Sequence, residues 1–408
     1  MKCRHCGQPL HLPLIDLGSA PPSNAYLSPE ALVRPEKWFP LRVMVCHHCW
    51  LVQTEDFAQA DELFSADYAY FSSYATSWLA HAQRYVEQMR TRFGLGQHSM
   101  VVEIAANDGY LLQYVKAAGI PCYGVEPTAS TAAAARQLGL EIVGDFFGVA
   151  LAKQLQADGR AADLIVANNV LAHVPDINDF VAGFTTLLKP QGVATFEFPH
   201  LLSLLQHTQF DTIYHEHFSY LSLTALQAVF TAAGLQVFDV ETLTTHGGSL
   251  RLFVQRRDSG VHAVTPQLAA TLAAEQQAGL ADESGYQALQ VAADKVKNDF
   301  MAFLIEAKRA GKRVMAYGAA AKGNTLLNYA GVRPDLLSAV VDRNPAKQGR
   351  YMPGSRIPIV TEDDLRQQRP DYVVLLPWNL RDELTVQLDY IREWGGCFVT
   401  AVPELEIR

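Results

Sequence analysis

Residues 210 to 220 read FDTIYHEHFSY, and from Tyr214 to Tyr220 that stretch sets two tyrosines, two histidines and a glutamate within seven positions. Imidazole titrates near neutral pH, and phenol and carboxyl groups add donors and acceptors around it. Such a set can move protons, one group taking a proton while donors steady the negative charge left behind. The bland reading is a solvated polar loop. His215 and His217 would share a face in a strand and lie apart on a helix, so a metal pair is conceivable only in an extended segment. No third ligand lies nearby in sequence. His173, in NNVLAHVPD, is another candidate, expected in a loop just after a strand.

The first fifty residues offer a second chemistry. Cys3 and Cys6, then Cys46 and Cys49, form two C-x-x-C pairs, while Cys122 and Cys397 lie singly in apolar runs and read as core residues. In a reducing compartment, paired C-x-x-C units indicate a tetrathiolate metal site rather than disulfides. Two such turns complete a tetrahedron around Zn²⁺, and four thiolates leave no open position, so the zinc is expected to be structural. His5, His47 and His48 stand beside the pairs as possible substitutes, although four sulfurs suffice.

A third cluster surrounds VVEIAANDGYLL, which reads as a strand, a turn and the start of a helix, with Glu126 ending the next strand. A dinucleotide fold would also place an acid there, but this turn has one glycine where that fingerprint has three to admit a pyrophosphate. Glu103 and Asp108 would repel a pyrophosphate and suit a cofactor with a sulfonium and an ammonium group. That describes S-adenosylmethionine. Ala105, Asn107, Asp108 and Gly109 then form its turn, Glu126 takes the ribose diol, and Asn168 and Asn169 line the adenosyl or methionyl part.

These residues need elements to hold them. At 408 residues the chain exceeds one ordinary core, so two or three domains are expected. The net charge of −9 and the lack of a basic stripe argue against nucleic-acid binding. No apolar run reaches the ~18 residues of a membrane span, and MKCRHCG lacks a signal-peptide core, so no membrane partner and a cytoplasmic address are expected. Residues 1–66, loop-rich with spread prolines, form a small zinc-binding module with little core of its own. Residues 67–260 begin with a helical pattern and then alternate apolar strand runs, at 99–105, 121–127, 163–169 and 193–199, with helices. After two helices, residues 261–408 repeat the alternation at 312–318, 337–342, 371–378 and 397–403. The fold class is therefore α/β, with two Rossmann-like domains facing each other across a cleft.

Five motifs in order, C-x-x-C twice, E-I-x-x-N-D-G-Y at 103–110, Y-H-E-H at 214–217, H-G-G-S-L-R at 246–251 and Y-G-A-A-A-K-G-N at 317–324, resemble the sugar C-methyltransferases that act on nucleotide-linked 4-keto deoxysugars. The resemblance spans essentially the whole chain. Family members usually carry glycine where this chain has Ala105, whose methyl group would narrow the cofactor turn. The resemblance implies an N-terminal zinc module, a central class I methyltransferase domain and a C-terminal α/β domain that holds the nucleotide sugar. It implies His217 as the base that forms an enolate, Tyr214 and His173 as hydrogen-bond donors to the oxyanion, Glu216 as an orienting group and Tyr68 as a further active-site tyrosine, with Tyr70 the lesser choice. His246, Gly247 and Ser249 would wall the sugar, with Arg251 a strand-surface residue. Lys322 and Asn324 would hold the diphosphate and Trp378 and Asn379 the base; YGAAAKGN is not a P-loop, since Asn324 follows its second glycine where a P-loop has lysine.

The expected reaction is methylation at C3 of a nucleoside-diphosphate, dTDP-linked, 4-keto-6-deoxysugar. A C5-methylating or GDP-sugar homologue is the near alternative. A non-catalytic nucleotide-sugar-binding protein and an NAD-dependent dehydrogenase are the distant ones. A monomer or dimer is expected.

Overall fold

The structure, a computed structural model, describes residues 1–55 and 71–408. Three sheets organise them. The first joins β1 (Leu12–Ala20), β2 (Phe39–Val45) and β3 (Val52–Thr54) in antiparallel order. Leu41, Val43 and Val45 of β2 are buried at the two-residue period of a half-buried strand. β1 is one of the two edge strands, and it carries Pro13 and two irregularities of register that such an edge tolerates. The fourth strand is β9 (Ser219–Tyr220), which arrives from far along the chain to pair with β3. The N-terminal segment is thus a sheet completed from outside, where the sequence had suggested mainly loops.

The second sheet has seven strands: β4 (Val101–Ile104), β5 (Cys122–Val125), β6 (Ile142–Val143), β7 (Ala162–Asn168), β8 (Leu188–Pro199), β10 (Leu235–Leu243) and β11 (Ser249–Arg256). Their order is β10-β11-β8-β7-β4-β5-β6, parallel from β8 to β6, with β11 antiparallel to both neighbours. The apolar runs seen in sequence are its central strands. Alternate residues feed two cores, Val101, Leu164 and Val166 on one face and Val102, Ile104 and Ile165 on the other. Helix Thr76–Phe93 covers the first face with Ala82, Tyr85, Val86 and Met89, spaced as one helical stripe, and stops at Gly94 in the left-handed region.

The third sheet comprises β12 (Val314–Tyr317), β13 (Val340–Val341), β14 (Ile359–Val360), β15 (Tyr372–Leu375), β16 (Cys397–Thr400) and β17 (Glu406–Ile407), parallel except for β17. Its core is not private. Leu14, Leu41 and Val43 of the first sheet pack in one cluster with Phe300 of helix Leu289–Arg309 and with Val314 and Ala316 of β12. Among the described residues no helix is long and apolar enough to cross a membrane.

Candidate active site

The cofactor turn lies at the carboxyl edge of the second sheet, where connections leave β4 towards β5 on one side and β7 on the other, the usual crevice of open α/β sheets. Ala105, Asn107 and Gly109 all have positive φ, at 58°, 48° and 81°. A Cβ at Gly109 would press on the Leu140 methyl and the Ala135 side chain and would strain the left-handed backbone there. Glu126 fixes the turn, since its two oxygens accept the backbone N–H groups of Asn107 (2.9 Å) and Thr128 (2.8 Å), each oxygen keeping a second lone pair. The buried oxygens left without a hydrogen-bond donor here are Glu103 Oε1 and Oε2, Asp108 Oδ1, Asn168 Oδ1 and Asn169 Oδ1. All are acceptors. Burial holds the Glu103 carboxyl well above its usual range, with Asp108 and Glu126 adding like charge. A cradle of unsatisfied oxygens fits a cationic, hydroxyl-bearing group such as S-adenosylmethionine and rejects a diphosphate. Ser72 and Ser73 close over it, donating backbone N–H groups to Asn107 Oδ1 (3.0 Å) and Asp108 Oδ2 (3.1 Å). Tyr68 and Tyr70, just before them, lie outside the described residues.

Residues 210–220 form a short 3-10 turn and an irregular crossing that becomes strand only at Ser219. His217 Nδ1–H donates to the Thr212 carbonyl at 2.9 Å, because a carbonyl can only accept. Its Nε2 therefore carries the lone pair. The Tyr214 ring lies 4.0 Å from the His217 ring, His173 4.7 Å and Tyr220 6.0 Å. Burial, and then the neighbouring His173, push the His217 pKa well below its usual value. His173 is built the same way, with Nδ1–H on the Glu216 carbonyl at 2.8 Å and a pKa lowered to about 4 by burial. In that tautomer its Nε2 carries the lone pair, so the ring would donate to an oxyanion from Nε2 only when protonated. His215 turns the other way, donating from Nε2 to the Pro40 carbonyl at 3.2 Å, so the two histidines of Y-H-E-H do not converge. The Glu216 carboxylate is bonded to neither His215 nor His217. Its Oε1 accepts the backbone (3.2 Å) and side-chain (3.1 Å) N–H of Asn24.

The facing domain contributes Lys322, half-buried over Trp378 at 4.7 Å and donating to Asn379 Oδ1 at 3.1 Å. Trp378 Nε1–H is held by Asp211 at 2.7 Å, and burial raises the Asp211 carboxyl to about 6. Through Asp211–Trp378 and the Thr325 hydroxyl, which donates to the Ile213 carbonyl at 2.8 Å, the facing domain touches the segment that carries His217. Gly247 has φ 88°, and a Cβ there would lie 2.5 Å from the Trp378 ring. Beside this contact opens a cleft of about 290 Å³ lined by Thr244, Gly247, Trp378, Asn379, Arg381 and Thr400. His246 reaches Asn169 Nδ2 at 3.2 Å, linking this wall to the cofactor turn. Ser249 is not brought to the cleft, being fully buried with its hydroxyl on the Thr245 carbonyl at 2.9 Å. Asn324 is fully buried too, neither side-chain polar atom having a partner.

Arg251 is not a surface residue. It is buried and paired with Glu197 (2.7 Å) and Glu241 (2.9 Å). Asn168, Glu197, Arg251 and Glu241 stand opposite one another on β7, β8, β11 and β10, a polar row across the sheet. His81 caps it, 2.9 Å from Glu197, and Trp78 packs between His81, Tyr110 and His246. Although burial pushes the Glu197 carboxyl up, His81 and Arg251 hold it below its usual range. The row was missed in the sequence, yet Glu197 in the apolar run VATFEFP was a visible signal, since a charge there needs a partner.

The four thiols of Cys3, Cys6, Cys46 and Cys49 lie within 4.8 Å of one another, with Cys3–Cys49 and Cys6–Cys46 sulfurs 3.5 Å apart. Zn–S bonds of about 2.3 Å require sulfurs a little under 4 Å apart, so the set fits a tetrahedral ion. Among the described residues no other cluster of three or more metal-ligating side chains occurs, and His215 and His217 face different carbonyls rather than one another.

Three family profiles match in succession: a zinc-binding domain over 3–64, a methyltransferase domain over 78–240 and a C-methyltransferase C-terminal domain over 244–403. The chain is 35% identical over 403 residues to the C-methyltransferase NovU of Streptomyces niveus, covering 99% of this chain and 96% of that one. Solved methyltransferase structures align with under half of the chain. Magnesium protoporphyrin IX methyltransferase (ChlM) of Synechocystis PCC 6803 with bound S-adenosylhomocysteine aligns at 14% identity over 44% of this chain and 83% of its own, with a TM-score of 0.36. An S-adenosylmethionine-dependent methyltransferase of Clostridium acetobutylicum gives 11%, 44%, 92% and 0.36 for the same quantities. The chain carries a zinc-binding domain with a four-cysteine cluster and uses S-adenosylmethionine, and it belongs to the family of S-adenosylmethionine-dependent C-methyltransferases.

Proposed function

We propose that the substrate is a nucleoside-diphosphate 4-keto-6-deoxysugar, dTDP-linked, methylated at C3 through an enolate formed by His217. The observation carrying this reading is the neutral His217 ring, its Nε2 lone pair set by the Thr212 carbonyl, in the electrostatic reach of Lys322 from the facing domain. A base for a carbon acid must be unprotonated at working pH, and its lone pair must have a fixed direction. His217 meets both conditions. Its lowered pKa makes it a weak acceptor, so charge developing on the ketone oxygen needs support, for which Tyr214 beside the ring and the Lys322 ammonium are the candidates.

Lys322 and the Trp378–Asn379 wall suit a diphosphate and its base, while His246 and Gly247 flank the sugar. His173 holds Glu216's carbonyl and offers a second imidazole lone pair beside His217. Glu103, Asp108 and Glu126 take the ammonium and ribose of the cofactor. When bound, S-adenosylmethionine supplies an electrophilic methyl group, and alignment with the enolate carbon accounts for much of the acceleration.

Incubation with methyl-labelled S-adenosylmethionine and a panel of dTDP- and GDP-4-ketosugars tests the reading, the position of label in the ring distinguishing C3 from C5. His217→Ala should abolish transfer and leave S-adenosylmethionine affinity unchanged by calorimetry. An active variant removes His217 from the role of base.

A further inference from the structure

Short polar contacts run without a break from the cysteine cluster to the His217 segment. Arg4 stands between Cys3 and Cys6. Its Nε–H donates to the Phe218 carbonyl (3.2 Å), its Nη2–H to the Thr54 carbonyl (2.8 Å), and its guanidinium lies 5.0 Å over the Phe218 ring. Its backbone N–H donates to Gln53 Oε1 (2.9 Å), and Gln53 Nε2–H returns to Cys3 Sγ (3.3 Å). Thr54 donates its hydroxyl to the His217 carbonyl (3.2 Å) and its N–H to that of Phe218 (3.1 Å). Pro40 holds His215, Asn24 holds Glu216, and β3 pairs with Ser219 and Tyr220. Every residue from His215 to Tyr220 is therefore tied to the cysteine module.

A purely local zinc site would need none of these ties. We propose that Arg4, Asn24 and Thr54 are positioning residues for the His217 imidazole, so that the zinc-clamped module sets the geometry of proton removal in the neighbouring domain. This rests on the reading of His217 as the base. Arg4 grips carbonyls of two chain segments at once, a fork geometry that lysine cannot reproduce. Displacement of the segment by about 1 Å would cost roughly 100-fold in rate while leaving the cofactor turn untouched.

Full-length Arg4→Lys, Asn24→Ala and Thr54→Val variants test it. Zinc is measured by metal analysis, S-adenosylmethionine affinity by calorimetry, turnover with the ketosugar, and the His217 ring by ¹⁵N NMR, assigned with His217→Asn. The expected result is unchanged zinc and cofactor affinity, a kcat about 10- to 100-fold lower with KM little altered, and loss of the single Nδ1–H tautomer signal. Unchanged kcat and ring signals overturn the proposal, as does a kcat that falls only in proportion to lost zinc or lost folded protein. If His217→Ala stays active while the ring signals still respond to Arg4→Lys, the coupling stands and the assignment of the base falls.

Discussion

Ala105 holds a conformation that L side chains adopt at a cost, with φ 58° in the turn that carries the cofactor site. Glycine is free of that cost, which is the physical reason a glycine would suit this position. Ala105→Gly should raise stability by up to about 1 kcal/mol in denaturant titration, because relief of the left-handed strain exceeds the added chain entropy. A second residue-scale expectation concerns pH. His217 is active as a base when neutral, and its pKa is pushed well below 6.5 by burial and by His173. The acid limb of kcat/KM set by His217 should therefore lie well below pH 6.5; Asp211, raised to about 6, can add a limb through Trp378 that Asp211→Asn removes, and a limb still at 6.5 in that variant would contradict the buried imidazole. The residue types of this site were legible in sequence. Their proton states were not, because the tautomer of His173 depends on the Glu216 carbonyl, a tertiary neighbour that no local pattern reveals.

At the scale of elements, strand and helix runs were readable, since buried parallel strands are nearly continuous apolar runs and helices keep their own period. What could not be read was register. The row Asn168–Glu197–Arg251–Glu241 exists only because four strands align, and sequence alone left Arg251 looking like a surface residue. Removing one partner of a buried pair leaves a desolvated charge, so Glu197→Ala should cost about 3–5 kcal/mol by chemical denaturation. Glu197→Gln keeps the shape and should cost less. The same row braces Thr245, beside His246, through its 3.1 Å bond to Glu197, so a surviving Glu197→Gln protein should show weaker ketosugar binding.

Across the whole molecule, the segment between Asn24 and Glu36 straps the third sheet to the first. Tyr26 donates to the Ala319 carbonyl at 2.6 Å, Leu27 pairs with Tyr351, and Glu36 meets Arg356 at 2.9 Å. The order of the three parts was visible in sequence. Their shared core was not, since contacts between segments hundreds of residues apart leave no local trace. Chelation of zinc should therefore lower the melting temperature of the entire chain and abolish methyl transfer before cofactor affinity is lost, as followed by circular dichroism and calorimetry. An apo protein that melts unchanged would contradict this.

The pairing of β3 with β9 also orders events during synthesis. Gln53 leaves the ribosome long before its partner Ser219, and at ~5–20 residues per second the interval is on the order of ten to thirty seconds. For that time the nascent N-terminal sheet has an open edge, a place where another growing chain could dock. All four cysteines precede Gln53 in the chain, so an ion held by their sulfurs can order the turns of that sheet before Ser219 is made.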